Sequence, residues 1–181
     1  ISQIIILLDV NDIMLKVKLK LEADPLPPSH SACSSSDDFS INELMKDPNK
    51  LKDAYKNMDI EGVSKEEIMD HLEQVPVRYF SHSGKEEVAL HVDMIHRYWE
   101  NDSESPTPII HWRNDLRRSL TIVDIVTRDR NSLFEKLTGA FSVASLNILG
   151  ARAVTRKDGL AIDVFYVEDK NGGVVDDPKI R

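Results

Sequence analysis

The chain has 181 residues, enough for one medium domain or two small ones, and its hydrophobic content of 41% is sufficient for a core. The net charge of −8 comes from residues 1–100, because residues 101–181 carry twelve basic and twelve acidic side chains. No segment is strongly basic, so we expect no binding to nucleic acid or to an anionic membrane surface. The single cysteine, Cys33, excludes an internal disulfide and favours a reducing, cytoplasmic location.

Residues 1–39 form an ambiguous N-terminal segment. Ile4 to Leu8 is the longest apolar run, but it is far shorter than the roughly 20 residues that cross a bilayer. It also lacks the flanking features of a signal peptide. Residues 15–21 alternate leucine or valine with lysine, which favours a strand with one solvated face. The prolines and serines between Pro25 and Ser36 then predict a linker.

A helical connector is predicted over residues 40–100. Three serines are each followed three residues later by a glutamate, the pattern of a capping box at the start of a helix: Ser40 with Glu43, Ser64 with Glu67, and Ser83 with Glu86. Pro76 separates the second helix from the third. The third helix has the clearest apolar stripe, formed by Val88, Val92, Ile95 and Trp99. A polar, proline-containing stretch over residues 101–110 predicts a linker and a domain boundary.

Residues 111–181 predict a strand–helix–strand–strand order. Ser119 to Thr127 is rich in β-branched residues and indicates a buried strand. A helix then begins at Ser132, with Glu135 completing a fourth capping box, and its apolar face is formed by Leu133, Phe134, Leu137, Ala140, Phe141 and Ala144.

Two further strands complete this unit. Residues 146–156 alternate, with Leu149, Ala151 and Ala153 on one side of the predicted strand. Asp158-Gly159 is a strong signal for a type I′ hairpin turn, and residues 160–168 form the returning strand. The order fits half of a split β-α-β-β-α-β sandwich.

Two groups of residues carry a resemblance to a known family. Asp129-Arg130-Asn131-Ser132-Leu133 lies at the first turn and Asn147-Ile148 opens the next strand, and together they resemble an ACT domain, a small module that senses amino acids. In detail this unit is most similar to the ACT module in the C-terminal part of bacterial PII uridylyltransferases. Pro76-x-Arg78-Tyr79, followed by a helix with His91, resembles the segment that joins the HD domain of those enzymes to the first ACT domain.

The resemblance implies an α+β fold, with a helical connector (40–100) followed by a partial ferredoxin-like ACT domain (111–181). A complete ACT domain has a second helix and a fourth strand, for which we see no segment here. Since the fourth strand of the family pairs with the first, we expect Ser119–Thr127 to have an open edge and half of its sheet face uncovered. We therefore expect a fragment or a shortened gene product.

The resemblance also implies a ligand site, consisting of Asp129, Asn131, Ser132, Leu133, Asn147 and Ile148. In the family such a site binds glutamine in nitrogen-status signalling. Here Asn131 replaces a proline and Ser132 replaces a glycine, and the added Ser132 side chain partly blocks the approach of a ligand. Two hypotheses remain: a glutamine-sensing regulatory module, or a ligand-free ACT-type interaction module that forms a homodimer.

We predict no catalytic residue and no metal site in this chain. The nucleotidyltransferase motif with its Mg²⁺-binding aspartates has no match, and there is no His-Asp dipeptide for an HD phosphohydrolase. The histidines are scattered and are expected at the surface or as helix caps. Mg²⁺, uridylyl transfer and the PII signal protein as partner are therefore implied for a parent enzyme alone.

Overall fold

The computed structural model describes residues 53–101 and 107–181. The predictions for the N-terminal segment 1–39, for the Ser40–Glu43 pair and for Cys33 lie outside these residues. The described elements, in chain order, are α1 (Lys65–Gln74), a 3-10 helix (Val77–Ser81), α2 (Lys85–Glu100), β1 (Ile109–Asp115), β2 (Leu120–Arg128), α3 (Leu133–Val143), β3 (Asn147–Thr155) and β4 (Leu160–Glu168). In this part of the chain no helix has both the length and the apolar character needed to cross a membrane.

The structure confirms one of the predicted capping boxes and corrects two. The Ser64 hydroxyl accepts from the Glu67 N–H at 3.2 Å, and the Glu67 carboxylate accepts from the Ser64 N–H at 2.9 Å. The box at Ser83 is wrong because α2 begins after Gly84, and the Ser83 hydroxyl instead donates to Glu87 at 3.2 Å. The box at Ser132 is wrong because this residue is left-handed, with φ 60°, and its side chain makes no cap hydrogen bond.

The four strands form one antiparallel sheet in the order β1-β2-β4-β3, so the α+β class and the β-α-β-β unit are confirmed. β1 was not predicted. It pairs with β2 from Ile109 opposite Val126 to Asp115 opposite Leu120. The expected open edge of the first predicted strand is therefore wrong, because β1 occupies the position that the fourth strand has in the family. β1 also begins inside the range 101–110 that was predicted as a linker.

α3 packs on one face of the sheet. Phe141, predicted to be buried there, is 7% exposed, and its ring centroid lies 4.8 Å from that of Phe165. Ala140 does not continue the predicted stripe, because it is exposed; Phe134 is 39% exposed, although its ring stacks on that of Phe165 at a centroid distance of 5.4 Å. The helix therefore buries a narrower stripe than its apolar sequence suggested.

The C-terminal residues cover the rest of this face. Val175 is 1% exposed and belongs to the same apolar cluster as Phe141, with Ile180 packed at its margin. The Val175 N–H donates to the Thr121 hydroxyl at 2.8 Å. The expectation of a half-uncovered sheet face is thus wrong, since the tail fills the place where a second helix was missing.

The opposite face of the sheet is covered by α1, the 3-10 helix and α2. Ile68, Leu72, Val88 and Val92 pack there with Ile162 of β4 in one apolar cluster. Trp99, predicted on the α2 stripe, is 49% exposed, whereas Tyr98 beside it is buried. The helices before residue 101 and the sheet after it therefore share a core.

The β3–β4 hairpin differs in detail from the prediction. Gly159 has φ 82°, as expected, but Asp158 does not have the positive φ that a type I′ turn requires. The Gly159 N–H donates to the Arg156 carbonyl at 3.0 Å, and the Arg156 N–H donates to the Leu160 carbonyl at 2.8 Å. This is the three-residue loop in which a turn is followed by a left-handed glycine.

The alternation predicted for β3 fails at its start. The register shifts between Ile148 and Gly150, and Leu149 at this bulge is 44% exposed. Ile148 takes the inward position and packs in the same cluster as Ala151. A β-bulge adds one residue to a strand, which moves the preceding side chains to the other face.

Candidate functional site

The predicted ligand turn joins β2 to α3. Asp129, Asn131 and Ser132 are exposed, whereas Leu133 is buried beneath the helix. One Asp129 carboxylate oxygen accepts from the Thr155 hydroxyl at 3.0 Å, and the Asp129 N–H donates to the Gly159 carbonyl at 2.8 Å. The hairpin thus holds Asp129 beside the N-terminus of α3.

The other two predicted site residues lie at the far end of the sheet. Asn147 is paired with Glu168 at the end of β4 that is remote from Leu160, the partner of Arg128. Its amide donates to the Asp169 carbonyl at 3.3 Å, and Ile148 packs beneath α3. The nine residues of β4 span roughly 25 Å from end to end. A single chain therefore brings the first four predicted residues together and leaves Asn147 and Ile148 apart from them.

Asp163 is a further titratable residue near the turn, and the sequence analysis missed it. It is 3% exposed and is paired with Ile125 and Ala153 in the middle of the sheet. Burial, and after it the negative charge of Asp129, together raise the pKa of Asp163 to about 6. One acidic residue inside the apolar run from Leu160 to Val167 was the signal for it.

A buried polar network joins α2 to the other face of the sheet. Arg113 of β1 donates to Asp124 of β2 at 2.9 and 3.2 Å and to Glu87 of α2 at 3.3 Å. Arg152 of β3 donates to the other Glu87 oxygen at 2.5 Å. His91 of α2 lies 3.3 Å from Asp124. Three strands and one helix are thus tied by charged hydrogen bonds.

The protonation states in this network follow from the contacts. Burial alone would raise the pKa of Asp124, but hydrogen bonds from His91 and Arg113 outweigh it and lower the pKa to about 2. Because Asp124 is ionised, the Nε2 of His91 donates to it, and Nδ1 accepts from the Tyr79 hydroxyl at 2.7 Å. Burial and the charge of Glu87 raise the pKa of Tyr79 well above its usual value, so its phenol stays protonated.

Glu87, His91 and Asp124 meet the distance requirement for a metal site, with one possible ligand atom each within 4.8 Å of the others. Both carboxylates, however, already face guanidinium groups, those of Arg113 and Arg152. Two positive charges balance the two negative ones when His91 is neutral, so a metal ion would have to displace an arginine. The chemistry of the cluster favours an ion-pair network, and the absence of a metal site stays a prediction.

Two histidines contradict the prediction of surface or capping positions. His91 is fully buried, and His71 of α1 is 1% exposed. Arg156 donates to Nδ1 of His71 at 3.1 Å and also pairs with Asp70 and Asp158. Burial and the positive charge of Arg156 lower the pKa of His71 well below its usual range. Their partners, Arg156 in the β3–β4 hairpin loop and Asp124 in β2, are remote in sequence, so no local pattern could identify them.

Comparison with known proteins gives a consistent set of relatives. No protein-family model and no solved structure matches the chain. The bifunctional uridylyltransferase/uridylyl-removing enzyme of Azospirillum brasilense is 41% identical over 64 residues, 35% of this chain and 7% of the relative. That of Vibrio cholerae serotype O1 is 27% identical over 119 residues, 66% of this chain and 13% of the relative. That of Rhodospirillum rubrum is 37% identical over 62 residues, 34% of this chain and 7% of the relative.

These alignments span only a small part of each relative, 13% or less of its length. The three relatives carry the same enzyme name, and the longest of the three alignments covers 66% of this chain. The predicted resemblance is confirmed: the chain is similar in sequence to a segment of the bifunctional uridylyltransferase/uridylyl-removing enzymes.

Proposed function

We propose that this chain is a regulatory segment of a uridylyltransferase/uridylyl-removing type of enzyme, in which the β2–α3–β3–β4 unit is an ACT module that senses an amino acid. Glutamine is the candidate ligand. The observation that supports this is the exposed turn between β2 and α3, where a carboxylate and a helix N-terminus lie side by side.

An α-amino acid carries two opposite charges that this turn matches. The carboxylate of Asp129 is exposed and can pair with the ligand ammonium group. The N–H groups at a helix N-terminus lack intrahelical acceptors and carry partial positive charge, which suits the ligand carboxylate; in α3 the Leu133 N–H already donates to the Arg130 carbonyl at 3.0 Å. The buried carboxyl of Asp163 lies close enough to Asp129 for that charge to raise its pKa.

The position of Asn147 favours a site that two modules share. Its amide lies roughly 25 Å from Asp129 along the strands, so it can hold the amide of the same ligand only across a contact between two modules. β3, which carries Asn147, is at an outer edge of the sheet, and Leu149 is half exposed on it. This edge supports the alternative function, a ligand-free module that pairs with a second copy through β3.

The activity of a whole enzyme is part of the proposal. The relatives are named for uridylyl transfer and uridylyl removal, and this chain corresponds to a small part of them. The PII signal protein as substrate, Mg²⁺ in the catalytic domain and a cytoplasmic location are proposed for a parent enzyme. We propose that the segment itself binds the amino acid and transmits this signal to the parent enzyme.

Calorimetry with glutamine tests the proposal. We expect saturable binding to the chain or to its Ser132→Gly variant, and at least a tenfold loss in Asp129→Asn because the ammonium group loses its counter-charge. Asp93→Asn is the matched control, since Asp93 is a partly exposed acid of α2 that pairs with Arg97. No binding by either form, together with a dimer in analytical ultracentrifugation, would favour the interaction module instead.

A further inference from the structure

A cavity of about 210 Å³ lies on the other side of the sheet from α3, between the 3-10 helix, α2 and strands β3 and β4. The polar residues that line it are Arg78, Tyr79, His82, Ser83, His91 and Arg152. Aliphatic side chains of the sheet, among them Val154 and Ile162, form its floor. The cavity is therefore cationic and hydrogen-bonding on its helical side and apolar on its sheet side.

The lining of this cavity contains no carboxylate. The two nearest acids of the buried network, Glu87 and Asp124, are already engaged by Arg152 and Arg113. A negatively charged group that entered the cavity would thus meet donors and positive charge, without an unbalanced carboxylate in the wall.

Arg152 is held rigidly at this cavity. Its Nη1 donates to the His82 carbonyl at 2.7 Å and its Nη2 to Glu87 at 2.5 Å, while its guanidinium lies 5.7 Å from the ring centroid of Tyr166. Its Nε is buried and makes no hydrogen bond to the described residues. A buried donor without an acceptor is costly, but this atom is closed to the cavity, so Arg152 contributes to the lining through its fixed positive charge.

The sequence motif that precedes α2 converges on the same place. Arg78 and Tyr79 of the Pro-x-Arg-Tyr run and His91 of the following helix all line the cavity, although nothing in the proposed amino-acid site uses them. His91 and Tyr79 are hydrogen-bonded to each other, which fixes both rings in the wall.

We propose that this cavity is a second ligand site, which binds a small monocarboxylate with a short aliphatic chain. The carboxylate lies against Arg78 and Arg152, and the chain lies against Val154 and Ile162. The site is distinct from the turn at Asp129, because the cavity and α3 lie on opposite faces of the sheet.

The test is an NMR titration of the full chain with butyrate, with butyramide and with inorganic phosphate. We expect saturable shifts around the cavity with butyrate, and at least tenfold weaker binding of butyramide, which lacks the charge, and of phosphate, which lacks the apolar chain. Equal binding of butyrate and butyramide, or no saturable binding of butyrate, would overturn the proposal. Phosphate binding as tight as that of butyrate would overturn the assignment to a monocarboxylate.

Variants at the rim locate the site. Arg78→Gln is expected to weaken butyrate binding about tenfold, and Arg78→Lys to restore part of it. Arg97→Gln is the control, because Arg97 is a half-exposed arginine of α2 outside the cavity. If Arg97→Gln weakens binding as much as Arg78→Gln, the effect is general charge attraction and the proposed site is wrong. Asp129→Asn should leave butyrate binding unchanged, so this test is independent of the one with glutamine.

Discussion

The two faces of the sheet each bury an aspartate, and the two aspartates have opposite properties. Asp124, on the α2 side, is hydrogen-bonded to Arg113 and His91, and its pKa falls to about 2. Asp163, on the α3 side, pairs with no cation among the described residues, and its pKa rises to about 6. Burial disfavours the charged form of both aspartates. The hydrogen-bonding and charged partners therefore decide whether each pKa falls or rises.

This contrast separates two roles for buried charge. On the α2 side the carboxylate is a fixed link between strands and helix, since its charge is balanced at any ordinary pH. On the α3 side the carboxylate is a poised group next to the proposed ligand turn. The buried charge on the α2 side is thus balanced by its partners, and the buried charge on the α3 side is not.

The largest expected effect concerns the apolar core of the α3 side. Phe141→Ala should lower the free energy of unfolding by about 3–5 kcal/mol, because it removes a buried ring from contact with Phe165. Urea denaturation followed by circular dichroism measures the change. Phe134→Ala is the comparison on the same helix: this ring also contacts Phe165 but is 39% exposed, so its loss should cost less than that of Phe141. A loss below roughly 1 kcal/mol for Phe141→Ala would mean that α3 is not packed as described.

The next largest effect on stability is expected when the ion-pair network around Asp124 is broken. Arg113→Met should cost on the order of 2–3 kcal/mol at pH 7, less than for a fully buried pair, because the Arg113 side chain is 34% exposed. Arg97→Met, which removes a surface pair with Asp93, should cost at most about 1 kcal/mol.

The acid dependence of this variant sharpens the test. In the wild type the folded pKa of Asp124 lies below its unfolded value of 3.8, so its stabilisation is present above pH 4 and is lost as the pH falls through about 2. Arg113→Met should weaken that acid dependence, while the hydrogen bond from His91 remains to lower the pKa of Asp124. An unchanged acid profile would show that Arg113 does not set the charge state of Asp124.

The raised pKa of Asp163 predicts the opposite pH dependence of stability. Its folded pKa of about 6 lies above the unfolded value of 3.8, so it carries no penalty below pH 4 and a full penalty above pH 6. A shift of about two units corresponds to roughly 2–3 kcal/mol. Asp163→Asn should therefore be more stable than the wild type at pH 7 and similar to it at pH 4, in thermal melts at both pH values. A wild type that gains stability relative to Asp163→Asn between pH 4 and 6 would contradict this sign.

A smaller effect is expected at the hairpin that positions Asp129. Gly159→Val should cost about 1–3 kcal/mol, because a β-branched residue is strained at φ 82°. The added Cβ itself meets only Arg128 at an ordinary 3.6 Å, so the cost is one of backbone conformation. Gly159→Asn is the control, since asparagine tolerates this region better. Equal losses for the two variants in chemical denaturation would contradict the backbone explanation.

The smallest effect on stability is expected at Ser132. The residue has φ 60° and makes no cap hydrogen bond, so Ser132→Gly should change the free energy of unfolding by less than about 1 kcal/mol and in the stabilising direction. The same change removes the side chain from the proposed ligand approach, so glutamine should bind more tightly in calorimetry. Equal glutamine affinity in both forms would show that Ser132 does not obstruct the turn.

The sequence by itself determined the elements whose signals are local. β2, α3 and β4 followed from apolar runs and periodicity, and the Ser64 capping box from a pattern of four residues. These signals work because backbone preference and the alternation of buried and exposed positions are written within a few consecutive residues. The left-handed Gly159 belongs to the same class.

Tertiary structure decided the features that depend on distant partners. β1 has no fully buried position and is defined by its pairing with β2, so its short, partly charged sequence did not predict it. Arg156 and His71 are 85 residues apart in the chain, and Asp124 and His91 are 33 apart. Whether such a group is buried and charged depends on which side chains the fold brings next to it, and no local pattern in the sequence contains that information.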